Sequence, residues 1–335
     1  MRPNLFKFAT RELSQDAVLC WLLSWAEASH MEDHPHLHMA GKALLTLIYQ
    51  RANVQMPVDF VKVDVHRQRY RIDVLCIING ETAILIEDKV GTKEHSEQLE
   101  RYKNIIHDKC QINKDKIIPV YIQTGDQSDY KEVVNKGYFV LGRKDLLEIL
   151  EDENCDIARH ESDILSDFVT HLRGIEDEVL SYKTLPPSEW GDNARKGFLM
   201  NLQDSLGNGD WSYVPNPSGG FIGYYWKHRE INGYKVYLQL EGDKFCYKIE
   251  KLDKPLVYEL RDYWCKEVIA RCHNYGIQAK RPERFGRINS RWLTIAVLDQ
   301  EFPAVNDNGL LDMSETLKLI NLAETALDDC NPFAL

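Results

Sequence analysis

Residues 72–89 read IDVLCIINGETAILIEDK. Residues 74–78 are continuously apolar, Asn79-Gly80 interrupts them, and residues 83–86 are apolar again before the chain turns charged at Glu87-Asp88-Lys89. Short apolar runs bounded by turn residues fit strands of a covered sheet, and Asn-Gly is the strongest short hairpin signal. The expectation is a pair of antiparallel neighbours. Residues two apart on a strand share a face, so Glu87 and Lys89 should project together and Asp88 away from them. The hairpin can then bring Asp73, placed within the first of the two strands, alongside. Two carboxylates on adjoining strands can hold a hard divalent cation, and a neighbouring ammonium can stabilise charge or help activate water. The competing account is a salt bridge at a strand end, since any strand can end in charge. Against it stands the expense of ionisable groups in a covered sheet without a partner or a metal.

Before this hairpin, residues 58–66 (VDFVKVDVH) alternate apolar and polar and predict a preceding strand. Residues 12–29 and 39–52 predict two helices, the first with Leu13, Ala17, Leu19, Cys20, Leu22, Leu23 and Trp25 inward and Ser14 as its cap. The HPHLH segment before the second reads as a loop. On the other side, residues 93–109 form an amphipathic helical pattern with Leu99, Tyr102, Ile105 and Ile106 inward. Residues 117–125 predict a buried strand, followed by a short helix and the strand YFVLG, which is the pattern of a parallel crossover. The fold class is therefore α/β, a mixed central sheet flanked by helices. Residues 143–180 read as helical and close this domain. The Pro-containing stretch KTLPPSEWGDN places the boundary near residue 184, giving domains 1–183 and 184–335. In the second, three aromatic-rich strands (residues 221–231, 234–242 and 244–252) are separated by Asn232-Gly233 and Gly242-Asp243. A helix over 254–275, a strand over 291–299 and a last helix over 313–329 complete an α+β module.

A length of 335 residues suits two domains. The net charge of −11 argues against coating nucleic acid by bulk electrostatics, but leaves room for a local basic groove around a carboxylate site. No apolar run approaches the ~20 residues that span a bilayer. The amino terminus lacks a signal-peptide pattern, so the cytoplasm is expected and no membrane partner. The eight cysteines are scattered and read as reduced core residues. Cys265, Cys272 and His273 lack the second ligand pair a zinc site wants. His30, His34, His36 and His38, with Glu32 and Asp33, alternate on a loop that fixes no coordination geometry. No phosphate-binding loop, nucleophile elbow or zinc-protease motif is present.

The Ile72-Asp73 and Glu87-Asp88-Lys89 pair resembles the motif of the PD-(D/E)xK nuclease superfamily, with Ile72 where the superfamily's name has proline. Gln98 and Tyr102 add a Gln-x-x-x-Tyr similar to that of its RecB-like and lambda-exonuclease-like branch, and the spacing of four puts both on one helix face. Glu12 lies at the start of the first helix, where many of these enzymes carry a further acidic residue. The resemblance covers about residues 1–150 and implies a restriction-endonuclease-like core. It implies that Asp73 and Glu87, with the Asp88 carbonyl and Glu12, hold Mg²⁺ or Mn²⁺. Lys89 would position or deprotonate the attacking water, and Gln98 would orient that water or a phosphate oxygen. Tyr102 would contact the nucleic-acid backbone or brace its helix; an aromatic on an apolar helix face is more often core. The implied activity is phosphodiester hydrolysis, in DNA first of all, in a setting of bacterial or phage-related defence or DNA processing. One site per chain would make double-strand cleavage the work of a homo-oligomer.

In the second domain Arg281, Arg284, Arg287 and Arg291 lie among Phe285 and Trp292, a mixture of cations and stacking surfaces suited to nucleic acid. A solvated loop packing two aromatics has the same composition. The non-enzymatic alternative for the whole chain is a nuclease-fold binding module with a purely structural site, recognising nucleic acid or a protein.

Overall fold

The computed structural model describes residues 3–91, 98–216, 219–231, 234–251, 258–283, 285 and 290–330, and it divides into two units, Met1–Asp177 and Glu178–Leu335. The first contains α1 (Glu12–Ser24), α2 (Pro35–Ala52), β1 (Val63–Arg67), β2 (Val74–Ile78), β3 (Thr82–Lys89), α3 (Gln98–Cys110), β4 (Ile117–Gln123), α4 (Lys131–Asn135), β5 (Phe139–Gly142), α5 (Arg143–Leu150) and α6 (Glu153–Glu161). The last helix, α7 (Asp163–Leu180), runs across the division.

The sheet order is β1-β2-β3-β4-β5. β1, β2 and β3 pair antiparallel, whereas β3–β4 and β4–β5 are parallel, so the sheet is mixed, as expected. The β2–β3 hairpin closes at Asn79 and Gly80, both in the left-handed region (φ 52° and 74°), and the Glu81 N–H bonds the Ile78 carbonyl at 3.0 Å. The sheet is buried on both sides. Val74, Cys76, Ile84, Ile86 and Val120 share a core with α1, α2, α5 and α7, and Leu75, Leu85 and Tyr121 pack against Leu99, Tyr102 and Ile106 of α3. Two glycines allow the close approaches that place α1 and the end of β3. A Cβ at Gly41 would stand 2.5 Å from the Leu22 carbonyl oxygen, and one at Gly125 would stand 1.9 Å from that of Val90.

Several local expectations are corrected. The HPHLH segment is not all loop: α2 begins at Pro35, a residue whose missing N–H suits the first helical position. Ser14 lies inside α1, and the capping position is Arg11, without a side-chain cap bond. Leu13 is exposed, and so is Ala17, while Gln15 and Asp16 are buried. The first strand starts at Val63 rather than near Val58, which is exposed. Residues 69–71 are a 3₁₀ turn with Tyr70 and Arg71 at positive φ, so Asp73 stands just ahead of β2 rather than within it. The helical stretch from residue 143 is broken into α5, α6 and α7.

The second unit holds α8 (Asp192–Leu206), β6 (Asp210–Val214), β7 (Phe221–Ile231), β8 (Tyr234–Glu241), β9 (Lys244–Lys251), α9 (Tyr258–Asn274), β10 (Ala279–Lys280), β11 (Trp292–Leu298) and α10 (Met313–Asp328). α8 and β6 are additions to the elements read from sequence. The strands form an antiparallel sheet in the order β10-β11-β9-β8-β7-β6. Val236, Leu238, Leu240, Tyr247 and Ile249 line one face and pack with residues of all three helices. The Asn232-Gly233 turn lies outside the described residues, as do the first residues expected of the helices over 93–109 and 254–275.

Candidate active site

Asp73, Glu87 and Lys89 meet at the carboxyl end of β3. The Lys89 Nζ lies 2.7 Å from Glu87 Oε1, 3.5 Å from Asp73 Oδ2 and 2.9 Å from the carbonyl oxygen of Asp88. The cluster sits at the carboxyl end of β3, where the antiparallel pairing with β2 has stopped at Ile86 and the parallel pairing with β4 continues, near the usual place for a ligand crevice in α/β sheets. Asp73 is fixed from two sides. Its Oδ2 accepts from the Asp88 N–H at 3.0 Å, and its Oδ1 accepts from the Gln68 side chain at 3.0 Å. Burial pulls the Lys89 ammonium downward, but its hydrogen bond and charge contact with Glu87, followed by the charges of Asp73 and Glu12, outweigh it and hold the group above its ordinary value. Lys89 is therefore a cation in this arrangement.

Asp88 points the other way and is fully buried. Its Oδ1 accepts from Gln15 Nε2 at 2.6 Å, Gln15 Oε1 accepts from Thr124 Oγ1 at 2.7 Å, and the Thr124 carbonyl accepts from Arg143 Nη1 at 2.6 Å. Arg143 is itself buried and paired with Glu176 at 2.8 Å and Asp126 at 3.0 Å. Burial pushes the Asp88 carboxyl well above the usual carboxylate range, the Gln15 bond opposing and the charges of Asp16 and Asp73 reinforcing it. Asp16 is raised by burial and then by Asp73, and it hydrogen-bonds Asp88. Asp16 Oδ2 already accepts from Gln68 at 3.1 Å. The remaining oxygens, Asp16 Oδ1 and Asp88 Oδ2, receive no N–H or O–H from any other described residue, so one proton shared between them satisfies both.

Glu12 opens α1, and its Oε1 accepts from the Val90 N–H at 3.4 Å, next to Lys89. Tyr102 is buried, and its hydroxyl donates to the Arg71 carbonyl at 2.7 Å, bracing the turn that leads to Asp73. Gln98 opens α3; its side chain is outside the described residues. Arg281 lies over the Phe285 ring at 4.4 Å. Arg291 pairs with Glu250 at 2.7 Å and lies over Trp292 at 4.9 Å. Arg284 and Arg287 are outside the described residues. Sequence reasoning missed Gln15, Asp16, Gln68, Thr124 and Arg143. A signal for the first two was present, because Glu12, Gln15 and Asp16 fall at i, i+3 and i+4 on one face of a largely apolar helix.

The donor set fits a hard cation. Carboxylate oxygens of Asp73 and Glu87 and the Asp88 carbonyl all face one positive charge, here the ammonium of Lys89, and all are oxygen ligands of the kind Mg²⁺ and Mn²⁺ take. Among the described residues no three His, Cys, Asp or Glu side chains form a metal-holding group; here the third oxygen belongs to the backbone.

A mixed sheet carrying an acid ahead of one strand and Glu-x-Lys at the end of the next defines a nuclease-type α/β core. The family model described as the PD-(D/E)XK nuclease superfamily matches residues 3–197, and the chain belongs to that superfamily. Those residues include the whole first sheet and every member of the polar network around Asp88. No curated protein and no solved structure gives a significant match. Among the described residues no helix is long and apolar enough to cross a membrane.

Proposed function

We propose that the chain is a divalent-metal-dependent deoxyribonuclease, its site formed by Asp73, Glu87, Lys89 and the Asp88 carbonyl, with Glu12 assisting. The observation that carries this is the convergence of those three oxygen groups on a single cation at the end of β3. When bound, Mg²⁺ or Mn²⁺ supplies Lewis acidity to the scissile phosphate and lowers the pKa of water. The chain's own residues do the rest. Lys89, kept charged by Glu87, stabilises negative charge building on the phosphate. Gln68 aims Asp73. The bonds from Gln15 and Asp16 hold the Asp88 side chain to α1, so the peptide presents its carbonyl on the Lys89 side. Tyr102 braces the Asp73 turn from α3, and Gln98, spaced from it as in the RecB-like branch, orients water or a phosphate oxygen. The first domain cuts and the second recognises substrate, Arg281 and Arg291 contacting phosphates together with Arg284 and Arg287.

The test is incubation of circular and linear DNA with Mg²⁺ or Mn²⁺, alongside the same chain carrying Lys89→Ala. Wild type is expected to cut and the variant to be inert. Equal cutting by both would overturn the site assignment, and cutting of circles would exclude an obligate exonuclease. Asp73→Ala should also abolish a stabilising thermal shift produced by either metal. The absence of both shift and cleavage in wild type would favour the binding module.

A further inference from the structure

The second sheet has one face under helices, and its other face forms a cavity of about 520 Å³. We propose that this cavity is a pocket for one unstacked nucleobase of a nucleic-acid substrate, an inference that rests on the nuclease reading above.

Its walls are aromatic. Phe221 and Tyr225 of β7, Tyr237 of β8 and Trp292 of β11 line it, and Trp292 is 53% exposed despite its size. Flat rings on a sheet are what bases stack against, whatever their sequence. The floor is polar and buried, which a bare sheet core is not: Gln239, Lys248 and Glu250 are each less than a tenth exposed. Lys248 Nζ lies 2.6 Å from Glu241 Oε1 and 3.0 Å from Thr294 Oγ1, and Glu250 Oε2 lies 3.8 Å from Lys235. The Gln239 amide donates to Glu241 Oε1 at 3.4 Å.

These partners decide the class of ligand. Two lysines and two glutamates line the cavity, and Glu250 is also held by Arg291 at 2.7 Å. Each carboxylate is already paired with a cation, so a quaternary ammonium finds no free charge, while a neutral planar edge bearing both donors and acceptors finds both kinds of partner. Nucleobases have such edges, and the volume lies in the roughly 300–1,000 Å³ range of small-molecule sites.

The backbone bends to complete the pocket. The β7–β8 register shifts between Trp226 and Arg229, with Lys227 at φ 54°. Regular alternation from Trp226, which is in the core, would turn His228 to the same side. The bulge sends Lys227 to Glu324 and Asp328 of α10 (3.7 and 2.7 Å) instead and puts His228 in the cavity, 5.2 Å from the Tyr237 ring. Bulges that re-aim a side chain and non-glycine residues in the left-handed region are both enriched at functional sites. Loss of water around the ring, then the Lys235 charge, holds His228 below its ordinary value, although the residue as a whole is exposed.

The experiment uses the full chain in EDTA, so that binding is read without cleavage. It is titrated calorimetrically with deoxyadenosine, deoxycytidine, deoxyguanosine, thymidine and a short single-stranded oligodeoxynucleotide. Trp292→Ala, at a half-exposed position, should weaken oligonucleotide binding roughly 5- to 150-fold, the equivalent of one stacked base at about 1–3 kcal/mol. Gln239→Leu should change the ranking of the nucleosides. Affinity and ranking unchanged in both variants, with unaltered circular dichroism, would overturn the pocket, as would preference for a methylated-lysine peptide over every nucleoside. Cleavage with Mg²⁺ is read separately. A chain that cuts but is indifferent to both substitutions loses the pocket and keeps the nuclease; one that binds through Trp292 and never cuts keeps the pocket and loses the nuclease.

Discussion

The two sheets of this chain bury themselves in opposite ways. The first is covered on both faces, and its buried charged residues gather at the carboxyl end of β3, past the last residue that pairs with β2. The second is covered on one face, and its charged residues sit in the middle of the other, among aromatic rings. A residue inside a doubly covered strand has nowhere to place a charge, so ligand chemistry is confined to strand ends and to the elements that reach them. A singly covered sheet can carry it along its whole width. The difference also sets the consequences of mutation: the first site is held by buried polar bonds reaching back to Arg143, the second by pairs that solvent reaches in part.

The two sheets should differ most in turnover. Asp73→Asn or Glu87→Gln should lower kcat by a factor on the order of 10³, the scale of losing a preorganised charge at a reacting phosphate, while Lys248→Met on the open face should change KM with kcat nearly intact. Steady-state cleavage of a labelled oligonucleotide separates the two; comparable kcat losses would mean that the second face takes part in chemistry. Stability sharpens the contrast next. Arg143→Met removes the buried partner of Asp126 and of Glu176, whose side chain is 5% exposed and is left with the exposed Lys144 at 3.7 Å. Removing one partner of a buried pair costs about 3–5 kcal/mol, to be read from urea unfolding. A loss below ~1 kcal/mol would show that the Arg143 cluster does not hold the first site together.

What the sequence made legible follows the same division. The 72–89 hairpin could be read because its apolar runs and Asn79-Gly80 agree with one another and with the placement of Glu87 and Lys89 on one face of β3. The polar network behind it is legible only in part: Glu12, Gln15 and Asp16 share a helix face, but apolar counting points Leu13 and Ala17 of α1 inward. The helix instead turns Gln15 and Asp16 in, and only the tertiary partners Asp88, Thr124 and Gln68 make that affordable. Gln68 and Asp73 are separated by a turn with two non-glycine residues at positive φ, which no propensity announces. In the second unit the strands could be read from their aromatics, but which face was covered could not. Alternation gives two sets of residues, both rich in rings, and the helices alone choose between them. α8 and β6 escaped because their sequence follows a Pro-containing stretch that looks like a linker.

A smaller effect tests the shared proton between Asp16 and Asp88. Asp88→Ala leaves the Gln15 amide and the Asp16 carboxyl without their buried partner and should cost about 1–3 kcal/mol. Asp88→Asn supplies an N–H to Asp16 and keeps an oxygen for Gln15, so its effect should stay within about 0.5 kcal/mol of wild type. Chemical denaturation distinguishes them, and an asparagine variant as unstable as the alanine one would show that Asp88 is held as a carboxylate.

The smallest stability effect belongs to the open face. The Arg291 side chain is 63% exposed although it pairs with the buried Glu250, and ion pairs reached by solvent contribute about 0–1 kcal/mol. Arg291→Ala should therefore leave the unfolding midpoint nearly where it was. If Arg291 meets a phosphate when nucleic acid is bound, the same variant should lower the slope of log affinity against log salt by about one. Oligonucleotide titrations at several salt concentrations in EDTA read that slope. A stability loss above ~2 kcal/mol with an unchanged salt slope would make Arg291 a structural residue, and the open face would then resemble the first sheet more closely than its exposure suggests.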